Sequence, residues 1–158
     1  MITKKRRKSV KLDKTEYEML ASFRTALRQF FSFSKEAAEA VGLEPQQYQA
    51  LLVIEGYPGR AVVTISELAQ RLFIKHNSAV GLVNRLEAEG LVTRGPAPDD
   101  RRKVSVRLTA NGTRVFEKLA AAHRSELRRI GPDLSRFIEH FVKQPAEFAT
   151  GRPRRVRR

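Results

Sequence analysis

The residues from 96 to 108, PAPDDRRKVSVRL, constrain the fold of this chain more than any other stretch. Two prolines and two acids precede three consecutive bases, after which apolar Val104, Val106 and Leu108 alternate with polar residues. Such alternation predicts a half-buried β-strand. The residues LVTR at 91–94 predict a second short strand. The charged stretch between the two strands is therefore predicted to be the tip of a β-hairpin.

The segment before this hairpin predicts two helices joined by a tight turn. Thr64-x-x-Glu67 has the form of a capping box, and apolar residues follow it at helical spacing. Residues 73–76 form a brief turn that leads into a longer helix ending before Gly90. A short helix, a turn and a longer helix are typical of a helix-turn-helix.

The longer helix of this pair has an apolar side and a polar side. Apolar residues recur from Ala79 to Leu86, whereas Asn77, Gly81, Asn84 and Arg85 lie along the other side. Amides and a guanidinium are the groups that read base edges in the major groove of DNA. A glycine on the same side permits close approach to a backbone or a base. Taken alone, a polar stripe of this kind is better explained as a solvated face.

A hairpin directly after a helix-turn-helix predicts a winged helix, with PAPDDRR as the tip of the wing. The prolines restrict the loop, so that less conformational entropy is lost when it docks. Asp100 lies two residues from Arg102, close enough to hold its guanidinium in one orientation. An arginine held in this way suits the narrow minor groove of DNA, whose negative potential attracts it. The alternative is a charged hairpin tip that contacts only solvent.

Two helices are predicted before the helix-turn-helix. Asp13-x-x-Glu16 has the form of a capping box, and a phenylalanine-rich stripe follows it as far as Gly42. Pro45 suits the first turn of a second helix, which closes near Glu55. The long first helix needs a partner for its apolar stripe, and a second copy of the chain is the simplest choice.

The sequence after the hairpin predicts a fifth and a sixth helix. Thr109 is expected to cap the fifth helix, Gly131 and Pro132 to break it, and Asp133 to cap the sixth. Both carry apolar stripes at helical spacing. Together with the first helix they predict an intertwined homodimer.

The net charge of +14 points to a polyanionic partner, with nucleic acid ahead of an anionic membrane surface. Most of this charge lies at the two ends, because residues 1–14 carry a net charge of +6 and residues 152–158 carry five arginines. No apolar run approaches the roughly 20 residues that a membrane-spanning helix needs. A cytoplasmic protein without a membrane partner is therefore expected.

The sequence offers no catalytic or metal-binding pattern. It contains no cysteine, no glycine-rich phosphate loop, no nucleophile motif and no paired catalytic carboxylates. Its three histidines, His76, His123 and His140, are scattered, and His123 is expected to be a hydrogen-bonded interface residue on an apolar helical face. We therefore expect no enzyme activity, no cofactor and no metal.

The runs ISELAQRL, SAVGLVNRLEAEGLVTR and DDRRKVSVRLTANG resemble the MarR family of winged-helix transcriptional regulators over about residues 12–142. The most specific pieces are RLEAEGLV, Asp100-x-Arg102 in the wing, and the LT-x-x-G motif at 108–112. The resemblance implies a homodimer built by the first, fifth and sixth helices. Its recognition helices would enter successive major grooves of double-stranded DNA, and its wings would reach the flanking minor grooves.

The resemblance also assigns site residues. Positions of the recognition helix are occupied by Lys75, His76, Asn77, Ser78, Gly81, Asn84 and Arg85, and those of the wing by Asp100, Arg101, Arg102 and Lys103. Lys75 stands where family members often have a small polar cap, so His76 or Asn77 is expected to cap this helix instead.

Many members of the family respond to small, often aromatic ligands bound between the dimerisation and DNA-binding regions, which makes such a ligand a candidate partner. The aromatic residues able to line a pocket there are Phe30, Phe31, Phe33 and Tyr48. Aromatic residues at helical spacing are more often plain core, and core is the favoured interpretation here.

The predicted fold is mainly α with a small β-hairpin wing, an α+β winged helix with a helical dimerisation region. The chain divides into a basic arm at 1–11, a dimerisation region at 12–44 and 110–142, a winged helix-turn-helix at 45–109 and a basic tail at 143–158. The leading function is a sequence-specific, dimeric DNA-binding regulator. The alternative is an architectural protein that coats DNA with weak sequence preference, and the ratio of specific to non-specific affinity separates the two.

Overall fold

Residues 104–108 form the central strand of a three-stranded antiparallel sheet in a computed structural model, which describes residues 12–100 and 102–143. The rest of the described chain is mainly helical, which confirms the predicted winged-helix class. In chain order the elements are α1 (Lys14–Glu39), α2 (Pro45–Glu55), β1 (Val63–Thr64), α3 (Ile65–Arg71), α4 (His76–Ala88), β2 (Val92–Pro96), β3 (Val104–Leu108) and α5 (Ala110–Lys143). The predicted basic arm at 1–11, Arg101 and nearly all of the predicted tail lie outside the described residues.

The described residues divide into two compact units. One runs from Phe30 to Leu127, and the other comprises residues 12–29 together with 128–143. The first unit contains most of the buried apolar side chains, including Leu51, Ile54, Leu68, Leu82, Leu86, Val106 and Leu119. The helix-turn-helix and the sheet therefore share one core.

The sheet is built around Val106 of β3, which is fully buried. Val106 pairs with Val63 of β1 on one side and with Arg94 of β2 on the other. Strand β2 starts one residue later than predicted and continues to Pro96, which pairs with Val104. Strand β1 was not predicted, because two residues are too short to show a period.

The predicted break at Gly131 and Pro132 is wrong, since α5 runs without interruption from Ala110 to Lys143 with Pro132 inside it. Gly131 has no Cβ, which relieves part of the clash that a residue before proline usually makes in a helix. Beyond the proline, the ring of Phe137 packs edge-on against Phe23 of α1, with ring centroids 6.2 Å apart. This contact favours continuation of the helix. Asp133 consequently caps no new helix and pairs with Arg136 at 3.7 Å.

Besides Asp133, one further capping prediction is wrong, at α4, while three are confirmed, at α1, α3 and α5. Reciprocal hydrogen bonds join Asp13 with Glu16 and Thr64 with Glu67, and the hydroxyl of Thr109 accepts from the amide of Gly112 at 3.0 Å. Helix α4, in contrast, has Lys75 as its N-cap and no capping hydrogen bond from that side chain. The lysine ammonium has donors only, so it cannot accept from the first-turn amides. His76 already begins the helix, and neither it nor Asn77 is the cap.

The first turn of α5 packs against the backbone between α4 and β2. The amide of Thr109 donates to the carbonyl oxygen of Leu91 at 3.0 Å, and its hydroxyl donates to the carbonyl of Gly90 at 2.6 Å. A Cβ placed on Gly112 would lie only 1.9 Å from the same Leu91 oxygen. The glycine of the LT-x-x-G motif is therefore required by a close backbone approach.

We expect Gly112→Ala to lower the free energy of unfolding by about 1–3 kcal/mol, because the added methyl group would force α5 away from Leu91. Gly81→Ala is the matched control. Its Cβ would meet nothing closer than an arginine nitrogen at 3.9 Å, and alanine favours a helix by up to about 1 kcal/mol over glycine. Urea unfolding of both variants measures the difference. Equal midpoints for Gly112→Ala and the unmodified protein would contradict the close approach.

Candidate nucleic-acid-binding site

Helix α4 presents the predicted polar residues on its accessible side. Ala79, Leu82, Val83 and Leu86 are fully buried on the opposite side. The polar set consists of Lys75, His76, Asn77, Ser78, Asn84 and Arg85, which are exposed, and Gly81, which is partly buried. At 1.5 Å per residue these residues extend over roughly 15 Å of one helix, a length that fits within a major groove.

Asn84 is held by a residue that no sequence pattern singled out as functional. Arg94 of β2 donates from Nη2 to the side-chain oxygen of Asn84. Its Nη1 lies 3.4 Å from a carboxylate oxygen of Glu87, one turn further along α4. The only signal in the sequence was a charged residue within a short, mostly apolar strand.

Arg85 is paired more loosely. Its Nη2 lies 3.7 Å from a carboxylate oxygen of Glu44, and about half of the Arg85 side chain is exposed (49%). An exposed pair at this distance contributes little stability, so the guanidinium is available to another acceptor. The end of α4 is held more firmly, because Gln47 donates to both carboxylate oxygens of Glu89 at 2.8 and 2.9 Å.

The tip of the wing holds Arg102 as the sequence predicted. One carboxylate oxygen of Asp100 accepts from the Arg102 amide at 3.0 Å and from its Nε at 3.2 Å. These two hydrogen bonds lower the pKa of Asp100, so its carboxylate stays charged. The Arg102 side chain is 91% exposed, and Lys103 beside it is exposed as well. Arg101, also assigned to this site, lies outside the described residues.

A second arginine that the sequence patterns did not reveal ties the wing to α3. Arg60 lies between α2 and β1, and its guanidinium contacts Glu67 at 2.5 Å and Asp99 of the wing at 3.1 Å. The same guanidinium lies over the ring of Tyr57, 4.9 Å from its centroid. Because Asp99 is adjacent to Asp100, this cluster limits the positions that the tip of the wing can take.

Glu67 connects the capping box to this cluster. Burial alone would raise its pKa, but hydrogen bonds from Thr64 and Tyr57 and the charge of Arg60 lower it by more. The amide of Thr64 donates to the Glu67 carboxylate at 2.8 Å, and the hydroxyl of Tyr57 donates to the same carboxylate at 3.0 Å. The carboxylate is therefore stabilised in its charged form.

Three of the four aromatic residues considered for a ligand pocket surround His123. Tyr48 stacks on its ring at 4.4 Å, and the rings of Phe30 and Phe33 meet it edge-on at 5.9 and 5.4 Å. Phe31 does not join them, since it contacts Phe30 and is 61% exposed.

His123 itself is hydrogen-bonded, as expected, but buried within the chain and not at an accessible interface. Its Nδ1 lies 2.8 Å from the Leu119 carbonyl oxygen, and its Nε2 lies 2.8 Å from the Ser34 hydroxyl. The stripe on which it lies therefore packs against α1 and α2 of its own chain.

Within residues 12–100 and 102–143, no group of three histidine, aspartate or glutamate side chains is placed to hold a metal ion. Over the same residues, no helix combines the length and the apolar character that crossing a membrane requires.

The paired helices α3 and α4, followed by a tethered β-hairpin, define a winged helix-turn-helix protein. The sequence profile of the MarR family matches residues 41–103. An uncharacterized HTH-type transcriptional regulator of Bacillus subtilis, YcgE, is 30% identical over 141 residues, which cover 86% of this chain and 87% of that protein. The chain belongs to the MarR family.

Other relatives match over a shorter part of their length. A putative transcriptional regulatory protein for the hcr operon of Thauera aromatica is 31% identical, covering 59% of this chain and 54% of that protein. The transcriptional repressor MdtR of Bacillus subtilis is 29% identical, covering 60% and 59%. The chain thus spans about half the length of the first curated relatives that it matches. All of them are named as transcriptional regulators, and none as an enzyme.

Solved structures share the fold. AbsC, a MarR family transcriptional regulator from Streptomyces coelicolor, has a TM-score of 0.66 at 22% identity, covering 85% of this chain and 94% of that one. A mutant MarR from E. coli complexed with operator DNA has a TM-score of 0.59 at 21% identity, covering 85% and 97%.

We expect the hydrogen bonds of Glu67 to make stability depend on pH. Its pKa in the folded chain lies below the ordinary value near 4.5. The contribution of Glu67 to the free energy of unfolding is therefore complete above that ordinary pKa and is lost as the pH falls through the pKa of the folded chain. Tyr57→Phe removes one of the lowering hydrogen bonds, so the pKa of Glu67 should rise and the acid loss of stability should shrink.

Carboxyl-carbon NMR titration of Glu67 measures this shift. Tyr17→Phe is the control, because Tyr17 is an exposed tyrosine in the other unit. An unchanged pKa of Glu67 in Tyr57→Phe would show that the Tyr57 hydroxyl does not bind the carboxylate in solution.

Proposed function

We propose that the chain is a sequence-specific double-stranded DNA-binding transcriptional regulator that acts as a homodimer in the cytoplasm. The observation that carries the proposal is the exposed guanidinium of Arg102, tethered to Asp100 on a wing whose strand β2 contacts Asn84 on the polar side of α4. This pairs a helix able to read a major groove with a cation suited to the neighbouring minor groove.

The recognition helix would use its residues in two ways. Lys75 and the first-turn amides of α4 would bind phosphate, because the start of a helix offers free N–H groups and partial positive charge. Asn84 and Arg85 lie about two turns further along the same accessible side and would contact base edges. Gly81 between them lets the helix approach the bases closely.

The wing would add an electrostatic contact in the minor groove. Arg102 is almost fully exposed, yet its Nε is held, so part of its rotamer entropy is already lost before it meets DNA. Lys103 and Arg107 are exposed on the same hairpin and would face phosphates. The Asp100 carboxylate would orient Arg102, and it would repel nearby phosphates only weakly.

A second candidate follows from the distribution of charge. The net charge is +14, and most of it lies at the two ends of the chain and not on α4 or the wing. Such charge neutralises phosphates without reading sequence, which favours an architectural protein of weak specificity. The ratio of affinities for a selected site and for scrambled DNA separates the two functions.

An apolar groove supports the homodimer. In the unit that contains the start of α1 and the end of α5, a cavity of about 240 Å³ is lined only by apolar residues, namely Leu20, Phe23, Phe137, Ile138, Phe141 and Val142. Ile138 is 54% exposed, and Val142 is exposed further. A second copy of the chain would cover this surface.

Release from DNA by a small aromatic ligand stays a prediction from the resemblance to the family. The packing around His123 supports a core role for Phe30, Phe33 and Tyr48.

The test of specific binding begins with selection of bound sequences from random DNA by the purified protein. We then expect Arg102→Ala to weaken binding to the selected site about tenfold to a hundredfold, equivalent to roughly 1–3 kcal/mol. Asp100→Ala should weaken it less, because it only loosens the orientation of Arg102. Fluorescence anisotropy titrations measure both.

Arg124→Ala is the control for loss of one positive charge, since Arg124 is exposed on α5 far along the sequence from the wing. If Arg102→Ala and Arg124→Ala bound the selected site equally well, the wing would not be part of the binding surface. If selection recovered no preferred sequence, the architectural function would replace the proposed one.

We expect sedimentation of the purified protein at micromolar concentration to give about twice the mass of one chain. Ile138→Glu should yield monomers, because it places a charge in the apolar groove. Leu52→Glu, at a similarly exposed apolar position of α2, should stay dimeric. A monomeric unmodified protein, or the same dimer in Ile138→Glu, would contradict this interface.

A further inference from the structure

Three side chains form a connected polar cluster at the accessible side of α4, the exposed Asn84 and the partly buried Glu87 and Arg94. Arg94 of β2 donates a hydrogen bond to Asn84 from one terminal nitrogen. Its other terminal nitrogen lies 3.4 Å from a carboxylate oxygen of Glu87. The remaining nitrogen, Nε, is buried and makes no hydrogen bond within the described chain. The two terminal contacts therefore set the position of the guanidinium.

This arrangement determines which way the Asn84 amide points. A guanidinium carries donors and no acceptor, so it can bond the amide oxygen but not the amide nitrogen. Rotating the amide by half a turn would place its NH₂ group against the N–H groups of Arg94. The oxygen of Asn84 is thus turned towards Arg94, and the NH₂ group is turned away from it.

The orientation matters because an asparagine that binds adenine in the major groove uses both ends of its amide. Its oxygen accepts from the adenine N6 amino group while its NH₂ donates to N7. Here Arg94 occupies the oxygen and brings positive charge and further N–H groups beside it. An adenine amino group approaching the same oxygen would meet donors, whereas the N7 and O6 acceptors of guanine would meet the free NH₂ group.

We propose that Arg94 is a positioning residue that makes Asn84 a hydrogen-bond donor, so that α4 selects guanine over adenine at the base pair facing Asn84. This inference rests on the proposed function, since it concerns what the same helix reads. Glu87 assists by holding the second terminal nitrogen of Arg94, and its charge offsets that of the guanidinium.

The experiment starts from the site selected by the unmodified protein, in which each base pair is then replaced by the other three. Asn84→Ala should abolish base preference at one position of each half-site, which identifies the base pair that Asn84 faces. At that position we expect the unmodified protein to bind guanine about tenfold more tightly than adenine. Replacing that guanine by 7-deazaguanine should weaken the unmodified protein but not Asn84→Ala.

Variants of Arg94 then test its role. Arg94→Met removes the donors and keeps the length, so the amide is free to rotate and the preference should move towards adenine. Arg94→Lys retains a donor and should retain guanine. A merely structural role would weaken binding to every sequence alike and leave the base preference in place.

The outcomes are distinct. A preference of the unmodified protein for adenine at the Asn84 position would overturn the inference, whether or not the Arg94 variants fold. An unchanged preference in a folded Arg94→Met would overturn it as well. Failure to select any sequence would instead refute the proposed function, and with it this inference.

Discussion

Strand β3 pairs with β1 on one side and β2 on the other, and the placement of the candidate site depends on this double pairing. Strand β1 leads directly into α3, while β2 follows α4, so β3 connects both helices of the helix-turn-helix to the wing. Val106 at its centre is fully buried. A slip of one residue would turn the charged, exposed Arg107 towards the core and would move Asp100 and Arg102 relative to α4. Burial of one valine thus supports the geometry of the candidate binding surface.

Three arginines of this surface each have a carboxylate neighbour within the chain. Arg102 has Asp100, Arg85 has Glu44, and Arg94 has Glu87. Exposed pairs of this kind contribute little to stability, so their main effect is on orientation. Holding a long side chain before it meets its partner reduces the rotamer entropy lost on binding. This explains why acids lie on a surface suited to a polyanion.

The elements that the sequence predicted correctly are those determined by interactions between residues close together in the chain. The strand at 104–108, the capping boxes and the stripe of α4 each depend on residues a few positions apart, and the structure contains all of them. Burial along the strand departs from strict alternation, because Val104 is exposed and Ser105 is buried. Arg60 and Arg94 could not be predicted in the same way. Their partners are long-range in the chain, as with Asp99, or cross from a strand to a helix, as with Asn84. Pro132 misled for a similar reason, because the packing of Phe137 on Phe23 is not visible in the residues around the proline.

The free energy that specific DNA binding requires explains why the proposed regulator would act as a homodimer. A regulator must distinguish its site from random DNA by roughly 4–10 kcal/mol, while one well-placed base contact contributes about 1–3 kcal/mol. Each chain offers few side chains held at defined positions, chiefly Asn84, Arg85 and Arg102. A single chain would need nearly ideal contacts at all three to exceed the lower half of that range. Two chains reading two half-sites reach the range with ordinary contacts. The charged ends would raise the affinity for every sequence about equally, so they could not substitute for the second copy.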